Sequence, residues 1–329
     1  MIQTILAEGL VYGIMALGVF ISFRLLEFPD LTVDGSFPLG AAIYASAIVA
    51  GIPGPVTLAL IIFGGFAAGT VTALIHTKLR VPHLLAGILT MTMLYSVNLR
   101  VQGNRPNISF LKYDTLLDTV QGLLPGLGRG AVILIVFAAV VLLVKLILDL
   151  FFHTDMGLTM GAMGSNEQMV KSQGVNPETL KIIGLGLSNA LVALSGALAS
   201  QYQGSADVNL GRGIVIAGLA SVMIGELVLR SNRIWVLTLR VIVGSILFRS
   251  LMFLARRAVF IQLRPSDLQL IYGLFIVGLL LYTRVQEDRR QKKAAGIALQ
   301  HALQDEHGAD SENPSGPGGG TTQETGENS

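Results

Sequence analysis

Long apolar runs alternate with short polar segments along most of the chain. A helix rises about 1.5 Å per residue, so about 20 apolar residues cross the hydrocarbon core of a membrane. Nine runs approach or exceed that length: 2–23, 36–51, 54–77, 83–100, 130–151, 180–200, 213–229, 234–255 and 268–283. The pattern therefore predicts an all-α polytopic membrane protein with about nine membrane-spanning helices.

The composition agrees with this prediction. Of the 329 residues, 52% are hydrophobic and only 13% are charged, and the mean hydropathy is +0.64. The first run contains Glu8 and has neither a basic start nor a small-residue cleavage site, so we expect a retained helix rather than a signal peptide. The chain has no cysteine, which excludes disulfides and thiolate chemistry.

The stretch LEFPDLTVDGSF, Leu26 to Phe37, interrupts two apolar runs with three carboxylates, a proline and a glycine. Pro29 lacks a backbone donor and disfavours helical geometry in the residue before it. The first helix should therefore end near the start of this stretch, and a new one should begin near Asp34 to Ser36. Asp34 and Ser36 are expected to cap the new helix. The same residues also fit an ordinary capped loop at the membrane surface.

A second stretch, QYQGSADVNLGRG from Gln201 to Gly213, also precedes a short apolar run, 213–229. Paired breaks of this kind indicate a transport pathway, because broken helices expose backbone groups to a cavity. Two unrelated loops are the alternative. An arginine within a span, such as Arg249, marks a bundle interior because its charge is costly in lipid. The pathway candidates are Asp30, Thr32, Asp34, Ser36, Asn98, Gln201, Tyr202, Gln203 and Arg249.

The segment Met156 to Lys181 is the longest polar loop before the tail. Ser165 and Gln168 fit a capping box, which predicts a short helix over about Asn166 to Gln173. Gly174 can close that helix in a left-handed conformation.

This short helix is expected to be fixed rigidly to the sixth span. Asn176 can cap that span, with Pro177 at its first helical position. Met169 and Val170 form an apolar patch on an otherwise polar helix. The patch suits either a cytoplasmic partner protein or the membrane surface.

Lysine and arginine collect in loops that face the cytoplasm. The pairs Lys78 with Arg80 and Arg230 with Arg233, and the basic cluster after residue 283, place the C-terminus inside and the N-terminus outside. We expect a permease domain over 1–285. Residues 286–329 should form a basic segment followed by a disordered tail, because they have few apolar residues to bury.

Two further charged groups have structural explanations. Glu226 and Arg230 are spaced for an ion pair on one helix face. Arg240 lies near the inner end of its span and is expected to extend its guanidinium towards the membrane surface. Thr90, Thr92, Ser96 and Asn98 make span four polar, which helix packing explains as well as solute contact does.

Several spaced motifs resemble the membrane subunit of ABC importers of the branched-chain amino acid permease family, and its tryptophan/tyrosine-type subgroup most closely. The resemblance covers about 3–285. The motifs are FPDLTVDGSFPLGAA, LLAGILTMTMLYSVNLR with RPNISFL, GSNEQMVKSQGVN, GLSNALVALSGALASQYQG, SADVNLGRG and PSDLQL.

The resemblance implies a type II-like importer bundle in a bacterial inner membrane. Two such subunits, here expected to be identical, form the pathway, and an extracytoplasmic binding protein delivers the solute. A separate ATPase dimer binds ATP and magnesium and couples to the short loop helix. The coupling residues implied are Asn166, Glu167, Met169, Val170, Gln173 and Gly174.

The substrate implied is an amino acid, with aromatic ones leading and other amino acids, nucleosides or sugars left open. The chain lacks a phosphate-binding loop and the common zinc and serine hydrolase motifs. We therefore expect a transport subunit without enzymatic activity, cofactor or nucleic-acid partner. A secondary transporter is the alternative, since it would also contain broken helices but would work without an ATPase.

Overall fold

The computed structural model describes residues 2–123, 126–229 and 233–258, with isolated helical residues at 273–274, 277–278 and 281. The described part is nearly all helical. Its helices are α1 (Ile2–Val19, continued by a π-helical segment, Phe20–Leu25), α2 (Val33–Val49), α3 (Gly54–Leu79), α4 (His83–Val101), α5 (Leu116–Leu123), α6 (Arg129–Phe152), α7 (Asp155–Ser165), α8 (Glu167–Ser172), α9 (Pro177–Gln203), α10 (Ile214–Val228) and α11 (Ile234–Ala258). Two short strands, β1 (Asn107–Ser109) and β2 (Ser205–Asp207), pair antiparallel.

The helices confirm the all-α polytopic prediction. Six of those described are long and apolar enough to cross a membrane, and α2 and α10 are shorter apolar helices. Eight of the nine predicted runs coincide with these helices, with ends that differ by a few residues. The ninth run, 268–283, falls mostly outside the described residues. The same holds for the predicted tail.

One end of the bundle, called here the strand end, carries the β1–β2 pair. This pair joins the loop after α4 to the loop after α9. The helices α1 and α6 begin at the same end, where the amide oxygen of Gln3 lies against Gly130.

The opposite end, called here the loop end, carries α7 and α8. There Gly164 of α7 lies against the carbonyl group of Leu25 at the end of the π-helical segment. The Lys78 ammonium at the end of α3 lies 2.8 Å from the Glu178 carboxylate at the start of α9. The helices α3 and α9 therefore run in opposite directions between the two ends.

Helix α9 is the centre of the bundle, and glycines bring its neighbours against its backbone. A methyl group at Gly40 of α2 would lie 1.8 Å from the Ala193 carbonyl oxygen, and one at Gly196 would lie 1.9 Å from the Phe37 carbonyl oxygen. Gly69 of α3 approaches the backbone of α9 in the same way. Close backbone contact through small residues is how membrane helices gain van der Waals attraction.

We expect Gly196→Ala to destabilise the bundle by about 1–3 kcal/mol, the usual cost of overpacking a well-packed interior. The measurement is the thermal unfolding midpoint of the purified protein. Gly161→Ala is the matched control, because a methyl group there meets nothing within 4 Å. Equal midpoints for the two variants would contradict this account of the α2–α9 contact.

Candidate functional site

The first predicted break is present, and it lies inside the bundle. The π-helical segment ends at Leu25 and α2 begins at Val33. Asp30 and Thr32 lie in this break and Ser36 lies in the first turn of α2, and all three are 0% exposed. The segment is therefore an interruption of the helix that is buried within the bundle.

Asn189, near the middle of α9, holds the break in place. Its amide nitrogen donates to an Asp30 carboxylate oxygen, and its amide oxygen accepts from the Ser36 hydroxyl, each at 2.7 Å. The Thr32 amide donates to the other Asp30 oxygen at 2.8 Å, and the Thr32 and Thr72 hydroxyls are 2.7 Å apart. These bonds satisfy polar groups that lipid could not. Asn189 is missing from the predicted residues, although a lone amide inside an apolar run is a signal for such a role.

Asp34 is a helix cap, as predicted, but it caps a different helix. Its two oxygens accept from the amides of Gly213, at 3.1 Å, and Val215, at 2.9 Å, at the start of α10. The prediction that Asp34 and Ser36 cap α2 is wrong. The first amides of α2 donate instead to backbone carbonyls of Leu31 and Thr32, so they need no side-chain acceptor.

The two predicted breaks therefore meet. Gly213 adopts a left-handed conformation (φ 76°) immediately before α10. Gly211 packs so closely on the Asp34 carbonyl that a methyl group there would lie 1.8 Å from its oxygen. The starts of α2 and α10 form one unit, although 179 residues separate Gly213 from Asp34.

A cavity of about 210 Å³, called here the strand-end cavity, lies between α1, α9 and α11. Three predicted pathway residues, Tyr202, Gln203 and Arg249, line it together. Glu8 and Tyr12 also line this cavity, although they are missing from the predicted pathway residues. Hydropathy alone does not indicate which face of α1 packs against α11. The lining residues are Glu8, Val11, Tyr12, Ala199, Tyr202, Gln203 and Arg249.

Arg249 supplies the positive charge of this cavity. Its guanidinium carbon lies 3.5 Å from the centre of the Tyr12 ring, a cation–π contact. Its Nη1 atom lies 3.7 Å from the Glu8 carboxylate, beyond ordinary hydrogen-bond distance. The buried Nε atom has no hydrogen-bond partner among the described residues. The Arg249 side chain is 12% exposed, and its guanidinium is incompletely hydrogen-bonded.

The other predicted pathway residues lie elsewhere. Asp30, Thr32, Asp34 and Ser36 belong to the buried break. Asn98 supports that break, because its amide nitrogen donates to the Gly35 carbonyl at 3.0 Å. The side-chain oxygen of Gln201 is buried without a partner in the described structure, and Gln201 does not line the strand-end cavity.

A network of ion pairs lies near the loop end of α10. Glu226 accepts from Arg24 at 2.9 Å and from Arg240 at 3.0 Å. Arg240 is 11% exposed, so the prediction that its guanidinium extends towards the membrane surface is wrong. The predicted partner of Glu226, Arg230, lies outside the described residues.

The predicted coupling helix is α8, and its cap differs from the prediction. The side chain of Asn166 accepts from the Met169 amide at 3.0 Å, whereas Ser165 belongs to the end of α7. The predicted capping box is therefore wrong. Gly174 adopts the predicted left-handed conformation (φ 82°).

The attachment of α8 to α9 follows the prediction. Asn176 accepts from the Glu178 amide at 2.9 Å, and a proline begins α9. Glu167 pairs with Lys171 at 3.0 Å and with Lys181 of α9 at 3.1 Å. The hydrogen bond from Lys171, followed by the one from Lys181, lowers the pKa of the Glu167 carboxyl.

The predicted apolar patch of α8 is only half correct. Met169 is 43% exposed, but Val170 is fully buried. Val170 anchors α8 and is unavailable to a partner. Of the remaining predicted coupling residues, Asn166, Gln173 and Gly174 are exposed and Glu167 is half-buried.

Comparison with known proteins gives a consistent picture. Residues 1–283 match the family model described as branched-chain amino acid transport system / permease component. The chain is 38% identical to the tyrosine transport system permease protein of Clostridioides difficile, over 85% of this chain and 90% of that protein. It is 28% identical to the ribose import permease protein RbsC of Escherichia coli, over 67% of each chain.

Among solved structures, the chain is similar to one described as an ABC transporter of metal-chelate type in an inward-facing conformation. The identity is 19%, the TM-score is 0.48, and the match covers 85% of this chain and 86% of that chain. A likeness of this size carries no inference about mechanism. The family match over residues 1–283 and the 38% identity are decisive: the chain belongs to the family of permease components of branched-chain amino acid transport systems.

Proposed function

We propose that this chain is the membrane-spanning subunit of an ATP-driven importer for a small solute, most specifically an aromatic amino acid. The observation that carries the proposal is the buried first break, which Asp34 joins to the second, partly exposed break. Interrupted helices that meet inside a bundle are typical of solute pathways. The strand-end cavity supplies a polar, aromatic-lined entrance on the same bundle.

The substrate class follows from two observations. A relative that shares 38% of its residues with this chain is named for tyrosine transport. The strand-end cavity offers one carboxylate, one guanidinium and two tyrosine rings, which suit a charged aromatic molecule. A sugar is the second candidate, because the ribose permease is also similar, at 28% identity.

The partners follow from the same proposal. An ATPase dimer binds ATP and magnesium and docks at the loop end. An extracytoplasmic binding protein delivers solute at the strand end. A second copy of the chain completes the pathway. Four basic residues cluster around the loop end: Lys78, Arg80, Lys171 and Lys181. Basic residues collect on the cytoplasmic side of membrane proteins, so this cluster supports placing the loop end on the cytoplasmic side of a bacterial inner membrane.

The test begins with the tagged chain purified from membranes of its own host. We expect an ATPase and two copies of the chain in one complex, measured by native mass spectrometry. Reconstituted with its binding protein, this complex should take up labelled L-tyrosine only when ATP is supplied. Uptake by the chain alone, driven by an ion gradient, would overturn the proposal in favour of a secondary transporter.

A further inference from the structure

We infer that the strand-end cavity recognises the two charges of a free amino acid, with Arg249 binding the α-carboxylate and Glu8 binding the α-ammonium. This inference rests on the proposed function and makes it specific. The main observation is that Arg249 is nearly buried but incompletely hydrogen-bonded. The side chain is 12% exposed, and its nearest carboxylate lies 3.7 Å away.

A buried guanidinium without full hydrogen bonding is costly. The Nε atom of Arg249 has no partner in the described structure, and the Tyr12 ring occupies one face of the guanidinium. The in-plane donors are what a carboxylate would engage, since guanidinium and carboxylate groups match in a two-bond geometry. A ligand carboxylate would therefore complete the hydrogen bonding of Arg249.

Glu8 completes the recognition of a zwitterion. Its side chain is 34% exposed and lines the same cavity as Arg249. A ligand with only a negative charge would pair with Arg249 but be repelled by Glu8. A ligand with only a positive charge would pair with Glu8 but be repelled by Arg249. A molecule carrying both charges on groups bonded to one carbon, as an α-amino acid does, can pair with both side chains, whereas a sugar or nucleoside supplies neither charge.

The cavity walls favour an aromatic side chain. Tyr12 stacks on Phe37 with ring centres 5.6 Å apart, and Tyr202 meets Phe137 edge to face at 6.2 Å. Because the Arg249 guanidinium already lies over the Tyr12 ring, Tyr202 is the wall ring left for an aromatic side chain to pack against. The cavity volume of about 210 Å³ is far above what a single water needs, so the cavity has room for a small organic molecule.

The absence of native cysteine makes a direct test possible. In the assembled complex, Gln203→Cys places one exposed thiol at the cavity, and its maleimide labelling under reducing conditions is followed against ligand concentration. L-tyrosine should slow labelling, because only unoccupied protein reacts. L-tyrosine amide, which lacks the carboxylate, and D-ribose should not slow it.

In the same background, Arg249→Met should raise the concentration of L-tyrosine needed for protection by about 10- to 100-fold, the range for a lost charge-assisted pair. Glu8→Gln should raise it by a smaller factor. Arg129→Met is the matched control, because Arg129 is a 73% exposed arginine at the same end, paired with Asp118, and it should leave protection unchanged. If Arg249→Met fails to assemble, Arg249→Lys replaces it, since lysine keeps the charge but loses the two-bond geometry.

Equal protection by L-tyrosine and its amide would overturn the inference, as would protection by D-ribose alone or unchanged protection in the Arg249 variant. ATP-dependent uptake by the unmodified chain distinguishes failure of this inference from failure of the proposed function. If only the inference is wrong, ATP-dependent uptake persists in the unmodified chain. If the proposed function is wrong, that uptake is absent before any residue is changed.

Discussion

Replacing Asp34 with Leu is expected to abolish transport and to impair assembly, whereas Asp34→Asn should retain a substantial part of both. Asp34 accepts hydrogen bonds from the Gly213 and Val215 amides at the start of α10. Leucine leaves these two donors unsatisfied in a partly buried site, where a lost acceptor costs up to about 1–3 kcal/mol each. Asparagine keeps one accepting oxygen without the charge.

The measurements are the yield of assembled complex by size-exclusion chromatography and ATP-dependent uptake in proteoliposomes. Asp118→Leu is the control, since it removes a carboxylate from the first turn of α5 at the strand end, where Asp118 pairs with the exposed Arg129. If Asp34→Asn abolishes uptake in a complex that assembles normally, the charge of Asp34 is itself required. The capping account would then be wrong.

Met169→Glu is expected to uncouple ATP hydrolysis from uptake while the bundle remains folded. Met169 is the exposed apolar residue of α8, at 43%. In the proposed complex, where the ATPase docks at the loop end, a carboxylate at this position would be placed in an apolar contact. The measurement compares ATP hydrolysis and solute uptake in the same proteoliposomes. Hydrolysis should continue with uptake reduced by about tenfold or more, in line with the loss of a buried apolar contact at an interface.

Two variants sharpen this test. Met156→Glu changes an equally exposed methionine, at 42%, in the neighbouring helix α7 and should leave uptake unchanged. Val170→Glu should instead lower the thermal midpoint, because Val170 is fully buried. Normal uptake by a well-assembled Met169→Glu variant would remove α8 from the coupling role.

The helices were predictable from the sequence because a membrane imposes one simple rule on length and polarity. Pro29 and the glycines near Gly213 also marked both breaks, since backbone restrictions act locally. The bonding partners of the break were not predictable. Asp34 bonds to amides 179 and 181 residues away, and no local pattern encodes a contact made by folding.

The same division applies to the loop helix. Gly174 and Asn176 were assigned correctly because their roles depend on neighbouring backbone alone. Val170 was misjudged, since its burial depends on how α8 packs and not on the polarity of the residues around it. Arg249 was placed in the interior from the cost of a charge in lipid, but its alignment with Glu8 required the packing of α1 on α11.

The glycine contacts of α9 have a mechanical consequence. They gather around the middle of a helix of 27 residues, which is about 40 Å long at about 1.5 Å per residue. The buried residues of α9 also run from Pro177 to Ser200, so its neighbours hold it along nearly its whole length and resist both sliding and tilting. Movement of the Asn176 end would then carry Gln203 and its side of the strand-end cavity with it, because the helix moves as one rigid body.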